Sequence, residues 1–422
     1  MDRRTVLGGG LTLGATAMLA GCGGGAASEA PDPDANPEDV SGKVVHWTYP
    51  MGETDQDSWW TPLIEEFNKE YPNVEVQVVQ QPWQGREQAL TTAITGKSAP
   101  DVVYFNPDFV PKFAAEDLLY SLDSAMESEK DDFVPSSIEA YTHDGKLYGF
   151  PLVMTVSNPG YNVKLLEKLK VDKAPVTFDE IRDVAQQCVD NKLTWASYGA
   201  ADGSLNHTYY PFLWTAGGSV LNEDETKAVF NSDAGVKALT LLRELAEMKA
   251  LNPQALTQPT GKFEQGKFAR GTELMGLTLS IPEAQEIMGK EAVKGSPPFH
   301  DTVDTVFGSV GALSIFNTTE SPEAAVAWVK FVTAKKTMEK FLRASTYLPP
   351  RLSLKDMWAD DEDNSFKTQY IDHVNVGVLH PKARELMDVL RTAIQGCLLG
   401  KSEPKAALDA AAADVDALLA RA

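Results

Sequence analysis

The triplet Gly96-Lys97-Ser98 has the residue types to cradle a phosphate, and it recurs at Gly400-Lys401-Ser402. A phosphate-binding loop closes an eight-residue motif that also opens on glycine, so that backbone amides can wrap the anion. The opening position is Thr91 in the first case and Gln395 in the second, so neither triplet is a nucleotide site. No serine has glycine two residues before and two after it, which removes the strained nucleophile elbow of an esterase. The six histidines include no pair four apart, the spacing that sets two imidazoles on one helix face for zinc. Cys188 and Cys397 lie in separate helical segments and make a poor metal cage; they read as two buried free thiols, with a disulfide as the alternative in an exported chain. Neither a metal nor a cofactor is expected. Carboxylates are plentiful, so a glycosidase pair stays open as chemistry, against the commoner reading of a solvated acidic surface.

The elements that would position such groups follow from periodicity. "KVVHWTY" places Val44, Val45 and Trp47 in a buried strand. "TPLIEEFNKEYP" reads as a helix with Thr61 as cap, Pro62 in the first turn, and Leu63, Ile64 and Phe67 on one face. "NVEVQVV" alternates as a second strand, "GREQALTTAITG" is a helix ended by Gly96, and "PDVVYF" is a third strand. This β-α-β-α-β order predicts an α/β fold with a parallel sheet, covering helices and right-handed crossovers. Further on, "DGKLYGFP" reads as a turn at Asp144-Gly145 and a short strand, and Thr177 with Glu180 makes a capping box. Ser232 and Ser321 read as caps of later helices. "ELMGLTLS" and "GSVGALSIF" read as strands, the first running into a helix start at Pro282. The tail is helical and Ala-rich.

At 422 residues the chain is too long for one ordinary core. Its net charge of -22 argues against nucleic acid or anionic lipid as a partner. The start reads as an address label. Arg3-Arg4 precede a short, glycine-thinned apolar run from Val6 to Ala20, too short to cross a bilayer. The arginine pair resembles a twin-arginine export signal. Leu19-Ala20-Gly21-Cys22 resembles the bacterial lipobox, in which the cysteine becomes the lipidated first residue. Residues 1–21 would be the signal and 22–42 a lipidated, flexible, acidic tether. Loss of 1–21 removes two basic residues and one acidic one, leaving -22 - 2 + 1 = -23. No later stretch is apolar enough to span a membrane, so Cys22 would be the only anchor.

The order of segments resembles the extracellular solute-binding proteins of bacterial ABC importers, in the family that includes maltose- and oligosaccharide-binding lipoproteins. The stretches that carry the resemblance are "WWTPLIEEFNKEYPNVEVQV", "LTTAITGKSAPDVVYFNPDFVPKFAAEDLLYSLD", "DGKLYGFPLVMTVSNPGYNVKLLEKL", "PVTFDEI", "YPFLWTAGGSVLNED", "KFEQGKFA", "SPEAAVAWVKFVT" and "TYLPPR". The resemblance implies a two-lobe, periplasmic-binding-protein-like fold. Each lobe would be a mostly parallel sheet flanked by helices, with ligand cleft and hinge between them. Crossovers would fall near Pro151 to Ser157, Gly308 to Ala312 and Tyr347 to Arg351. Lobe one would be 43–154 plus 311–348, and lobe two 155–310 plus 349–422.

Sugars present hydroxyls and apolar ring faces, so a sugar cleft needs planar aromatics and paired polar groups. In lobe one, Tyr49, Glu53, Asn106 and Asp108 sit on loops after the first and third strands. Asp108 matches a position where maltose-binding relatives carry a sugar-bonding Asp, and helix capping is its competing role. Trp83 reads first as a packing residue, with the cleft rim as its alternative place. Thr155 lies on the first crossover. In lobe two, His207 aligns with a sugar-stacking aromatic of the relatives, with Tyr209 and Tyr210 beside it, and Trp214 reads as core. Ser280 and Glu283 follow the "LMGLTL" strand, where relatives stack a Trp, and Met387 holds a second such position. These departures count against a maltose-like ligand. Tyr347 and Arg351 flank the third crossover, with a structural ion pair as the alternative for Arg351.

The implied function is the substrate-binding component of an ABC importer, a monomer that is no enzyme. It would capture a mono- or oligosaccharide by hinge closure and deliver it to a membrane permease. It would be exported and held on the outer face of the cell membrane, or the periplasmic side, by lipid alone. The alternatives are a non-sugar solute such as a polyamine, glycerol phosphate or opine-like molecule, which Glu53, Asp108 and Glu283 would suit if cationic, and an exported glycoside hydrolase or lyase.

Overall fold

The computed structural model describes residues 35–55, 57–83, 85–201, 204–258, 267–277 and 281–421. The export signal, Cys22 and residues 23–34 of the tether lie outside the described residues. The chain begins with the expected unit: β1 (Gly42–Thr48), α1 (Asp57–Phe67), β2 (Val74–Gln80), α2 (Arg86–Thr95) and β3 (Val102–Phe105). After β4 (Phe150–Met154) come β5 (Gly160–Asn162), α3 (Phe178–Asp190), β6 (Thr194–Ala196), α4 (Tyr209–Thr215) and α5 (Asp233–Glu247). Then follow β7 (Glu273–Gly276), α6 (Ile281–Met288) and β8 (Val293–Gly295). The chain continues through β9 (Val310–Ile315), α7 (Pro322–Thr333) and α8 (Lys335–Ser345). It closes with α9 (Glu362–Thr368), α10 (Ala383–Leu398) and α11 (Pro404–Leu419).

Among the described residues two larger sheets form, beside two two-stranded ladders, and each larger sheet contains one reversed strand. The first has the order β2-β1-β3-β9-β4, with Val44 opposite Val76 and Trp47 opposite Val79; only β9 opposes the common direction. The second has the order β8-β5-β7-β6, and only β5 is reversed. The reversed strands are the two that start just after a crossing. The chain leaves β4 at its carboxyl end and enters the other body through β5, so β5 must run away from the junction. On the return, β9 does the same. The remaining strands direct their carboxyl ends and following loops toward the junction, where open parallel sheets present ligand sites.

Each sheet has its own core. The first gathers Val44, Trp60, Phe67, Phe105, Phe150, Trp328 and Phe341; the second gathers Ile181, Trp195, Tyr209, Phe212, Leu242, Leu390 and Val415. Full burial of a side chain such as Phe67 or Leu242 is worth about 1.5–3 kcal/mol. Cys188 and Cys397 are free and buried in the second core, as expected, and burial pushes the Cys188 thiol up to about 12. Trp214 is also core there.

Local signals mostly hold. Thr177 and Glu180 form the capping box, and Asp144 and Gly145 turn with φ of 47° and 75°. Ser232 and Ser321 stand at their cap positions without a side-chain cap bond. The exception is α1, which starts at Asp57 rather than after Thr61. Trp60 is drawn into the core, where its indole N–H donates to the Thr54 carbonyl at 3.0 Å, and this winds the extra turn. Thr61 is then inside the helix, its hydroxyl on the Asp57 carbonyl at 2.9 Å, and Pro62 is interior.

Residues 349–373, read from sequence as lobe two, also serve lobe one. Leu354 and Ile371 are buried in the first core, and Trp358 donates its indole N–H to the Tyr347 carbonyl at 3.0 Å. In the same segment Phe366 of α9 packs beside Gly295 of β8, so this stretch bridges the two bodies.

Candidate functional site

Three connecting segments lie side by side between the two bodies. Met154 and Leu348 exchange backbone hydrogen bonds of 2.8 and 2.9 Å. The Thr155 amide donates to the Ser309 carbonyl at 2.8 Å, and Ser157 donates to Phe307 at 2.9 Å. The Ser309 amide donates to the Thr155 hydroxyl at 2.9 Å. These are the three predicted crossover regions, joined as a narrow ribbon. Their approach leaves no room for a side chain at Gly308, whose Cβ would overlap the Thr155 carbonyl.

A cavity of about 410 Å³ lies on this ribbon, within the roughly 300–1,000 Å³ range of small-molecule sites. Lobe one supplies Met51 and Gly52 from the loop after β1, and Thr346 to Leu348 from the end of α8. Lobe two supplies His207, Leu277, Ile281 and Pro282, while α9 adds Asn364 and Lys367. Gly52 takes φ +58° against α8, where a Cβ would lie 2.5 Å from the Ala344 carbonyl. Glycine therefore lets the loop pass tightly and bring Met51 to the wall.

The lining mixes apolar faces with hydroxyl, amide, imidazole and ammonium groups. The His207 ring meets Phe307 edge to face at 4.8 Å. Asn158 is buried, its amide nitrogen donating to the Ser296 carbonyl at 3.0 Å and its Oδ1 without a partner among the described residues. Burial pushes the Tyr347 phenol up and the Lys367 ammonium down, the latter opposed by Asp363 and Asp361. Such a wall can pack a small polar molecule and hydrogen-bond it; among the described residues it presents no nucleophile–base pair.

Of the residues predicted from sequence, Thr155, His207 and Tyr347 meet at this cavity. Tyr49 is 1% exposed and stacked on Trp83 at 4.8 Å, away from the lining, and Glu53 is exposed at the surface. Trp83 remains 40% exposed. Asn106 is committed: its Oδ1 accepts from Arg86, and its Nδ2 donates to the Ser309 hydroxyl at 3.2 Å, tying β3 to the ribbon. It heads the Pro107–Phe109 turn without a side-chain cap bond. Arg86 lies over the Phe109 ring at 4.5 Å and Trp83 at 5.3 Å. Asp108 pairs with Arg384 of α10 at 2.9 Å, a salt bridge from the first body to the second.

Tyr210 is fully buried in the second core, its hydroxyl unpartnered among the described residues, and Met387 is buried there as well. Arg351 is 4% exposed and sits in an ion cluster outside the cavity wall, paired with Glu129 and with Asp132 at 3.0 Å. Ser280 and the side chain of Glu283 lie outside the described residues. Sequence reasoning missed Met51, Asn158, Asn364 and Lys367. An amphipathic reading of "EDNSFKTQY" would have found α9, but not which lobe it faces.

Comparison with known proteins agrees with this architecture. The arabinooligosaccharide-binding protein of Bacillus subtilis is 22% identical over 404 residues, 88% of this chain and 92% of that one. Among solved structures, a cyclic alpha-maltosyl-1,6-maltose binding protein from Arthrobacter globiformis superposes with a TM-score of 0.78 at 19% identity, over 90% of this chain and 100% of its own. The GacH receptor of Streptomyces glaucescens, solved unliganded and with acarbose, gives 0.74 at 22% identity, over 90% and 99%. At these identities the likeness of the structures is one of fold. The profile of the bacterial extracellular solute-binding proteins matches residues 62–367, well over half of the chain. The two-lobe fold, the cavity on the connecting ribbon and this match agree, and the chain belongs to the bacterial extracellular solute-binding proteins.

Proposed function

We propose that this protein is the capture component of an ABC importer, and that it takes a mono- or oligosaccharide into the cavity between its lobes. The observation that carries the reading is the cavity itself, walled by both bodies and floored by two of the three paired connectors, Met154 to Asn158 and Ser345 to Leu348. A solute there touches both lobes only when they are close, so binding energy favours the closed arrangement. Thr155, His207 and Tyr347 are proposed ligand contacts, joined by Asn158, Asn364 and Lys367. The lobes are 43–154 plus 311–348 and 155–310 plus 349–422, with 349–373 shared in packing. The protein acts as a monomer, does no covalent chemistry on its solute, and hands it to a permease.

The sugar reading is supported by the relatives, whose names and titles give arabinooligosaccharide, acarbose and a cyclic maltosyl-maltose as ligands. The cationic-solute alternative loses two of its three motives: Glu53 is exposed away from the lining, and Asp108 already pairs with Arg384. A thermal-shift screen of neutral and acidic mono- and oligosaccharides tests the reading. A sugar at a hundred times its dissociation constant adds about 2.7 kcal/mol of stability. The same sugar should reduce the radius of gyration in solution scattering and be recovered chemically unchanged after long incubation. A panel without one stabilising sugar would sink the proposal, and hydrolysis of a bound one would move it to the enzyme class.

Export and lipidation at Cys22 complete the proposal. Two acyl chains hold a protein stably, since each buried methylene adds about 0.8 kcal/mol. Among the described residues no helix is long and apolar enough to cross a membrane. Wild-type protein should fractionate with membranes and be released by detergent, and Cys22→Ala should leave it in the aqueous phase or as an unprocessed precursor. Equal partitioning of the two forms would refute the anchor.

A further inference from the structure

We propose that the solute carries an anionic group, a carboxylate or a phosphate on a sugar-sized polyol, and that Lys367 receives it. This rests on the reading of the cavity as the solute site. Lys367 stands on α9, half-buried, one turn after Asn364, and both residues line the cavity. No Asp or Glu is among the described lining residues, so the wall holds an ammonium without a lining carboxylate. None of the ion pairs among the described residues involves Lys367. The two carboxylates of its own helix turn favour its charged form but make no ion pair with it, and both accept hydrogen bonds elsewhere. Asp361 caps α9 by accepting from the Asn364 amide at 2.8 Å, and Asp363 accepts from the Gln285 amide nitrogen at 3.5 Å.

The placement goes against the rest of the chain. A protein of net charge -22 has carboxylates to spare for a half-buried lysine, yet none among the described lining residues of the inter-lobe cavity pairs with this one. Burial already disfavours the charged ammonium, and a neutral solute would desolvate it further without a counter-charge. An anionic solute would replace the lost water with a charge-assisted hydrogen bond, roughly twice as strong as a neutral one. A lysine suits a carboxylate or a phosphate as a compact point charge. Elsewhere in the lining, the Asn158 oxygen, without a partner among the described residues, and the Thr155 and Tyr347 hydroxyls suit the hydroxyls of the same molecule.

Calorimetric titration with matched solutes tests this: glucose, glucuronate and glucose 6-phosphate, then a neutral disaccharide and its uronate counterpart. An anionic member should bind at least about tenfold more tightly than its neutral partner. The carboxylate and phosphate arms tell the two anions apart. Lys367→Met should abolish the preference for the anionic member of each pair, whereas Lys367→Arg should keep most of it. Melting curves of both variants check that they fold, and the Arg variant carries the test if the Met variant does not: loss of the preference with arginine in place would then count against the proposal. Neutral sugars binding as well as anionic ones, or a preference that survives Lys367→Met, would overturn the anion assignment and leave the sugar reading standing. Failure of every sugar, neutral or anionic, would overturn both.

Discussion

Replacing Arg351 by alanine is expected to cost about 3–5 kcal/mol of stability while leaving solute affinity within about twofold. The guanidinium is 4% exposed and uses all of its faces. Nε donates to the Thr333 carbonyl at 2.8 Å, Nη1 to Asp132 at 3.0 Å, and Nη2 to Glu129. Its carbon lies 4.3 Å from the centre of the Phe133 ring. Truncation leaves a buried carbonyl and two part-buried carboxylates without their donor, the costly way to break such a cluster. The site matters because Arg351 anchors the chain just after its third crossing: the Val134 amide donates to the Pro350 carbonyl at 2.8 Å beside it. Lysine should restore little, since it cannot reach three acceptors with a planar fork. Urea unfolding with and without a bound sugar reads both quantities. A normal midpoint with affinity reduced tenfold or more would return Arg351 to the solute site.

Much of the fold was legible because its signals are local. Alternation at Val74, Val76 and Val78, the capping box at Thr177 and the glycine after Thr95 each depend on neighbours a few residues away. The two-lobe plan came from the family resemblance that the order of segments carries, not from these local signals. The start of α1 was misread because its cause is not local: Trp60 donates to Thr54 and packs edge-on to His46 at 5.4 Å, and that tertiary burial outweighed the Thr61-Pro62 start signal.

The candidate site was legible where the backbone alone placed it, and at His207 through the resemblance. Thr155 and Tyr347 lie on crossover segments, which must meet if the chain passes three times between lobes. Asp108 and Asn106 sit where a sugar-binding loop would be, but their partners Arg384 and Ser309 are 276 and 203 residues away. No spacing rule reveals such partners, and each one converts a free polar group into a committed one. Lys367 was invisible for the converse reason: its proposed role rests on the absence of a carboxylate among the described lining residues, which no spacing rule reports.

The largest effect of acid should come from the middle of the first sheet. His46 on β1 is 0% exposed, and burial pushes its imidazole down to about 3. Its Nδ1 accepts the Trp328 indole N–H at 3.2 Å, which puts the ring proton of the neutral form on Nε2. The unfolded chain takes up a proton near pH 6.5, and the folded chain resists until about 3. The stability contributed by neutral His46 is therefore full above pH 6.5 and lost progressively as pH falls toward 3. At about 1.4 kcal/mol per pH unit, a drop to about pH 4 removes about 3 kcal/mol. Carboxylates add losses at lower pH, among them Glu180, which the Lys173 ammonium and the Thr177 and Val176 amides hold down to about 2, so its share goes as pH falls from 4.5 toward 2. A non-titrating variant isolates the histidine. His46→Asn keeps an acceptor near Nδ1 for Trp328 and cannot take up a proton. Urea unfolding at about pH 7 and pH 4 should show wild type losing about 3 kcal/mol more than the variant, whatever the variant costs at pH 7. Because β1 ends in the loop that carries Met51 and Gly52 to the cavity wall, solute affinity should weaken in wild type as this strand loosens. Parallel losses in the two proteins would mean that His46 titrates alike in folded and unfolded chains, and that acid acts on the carboxylates alone.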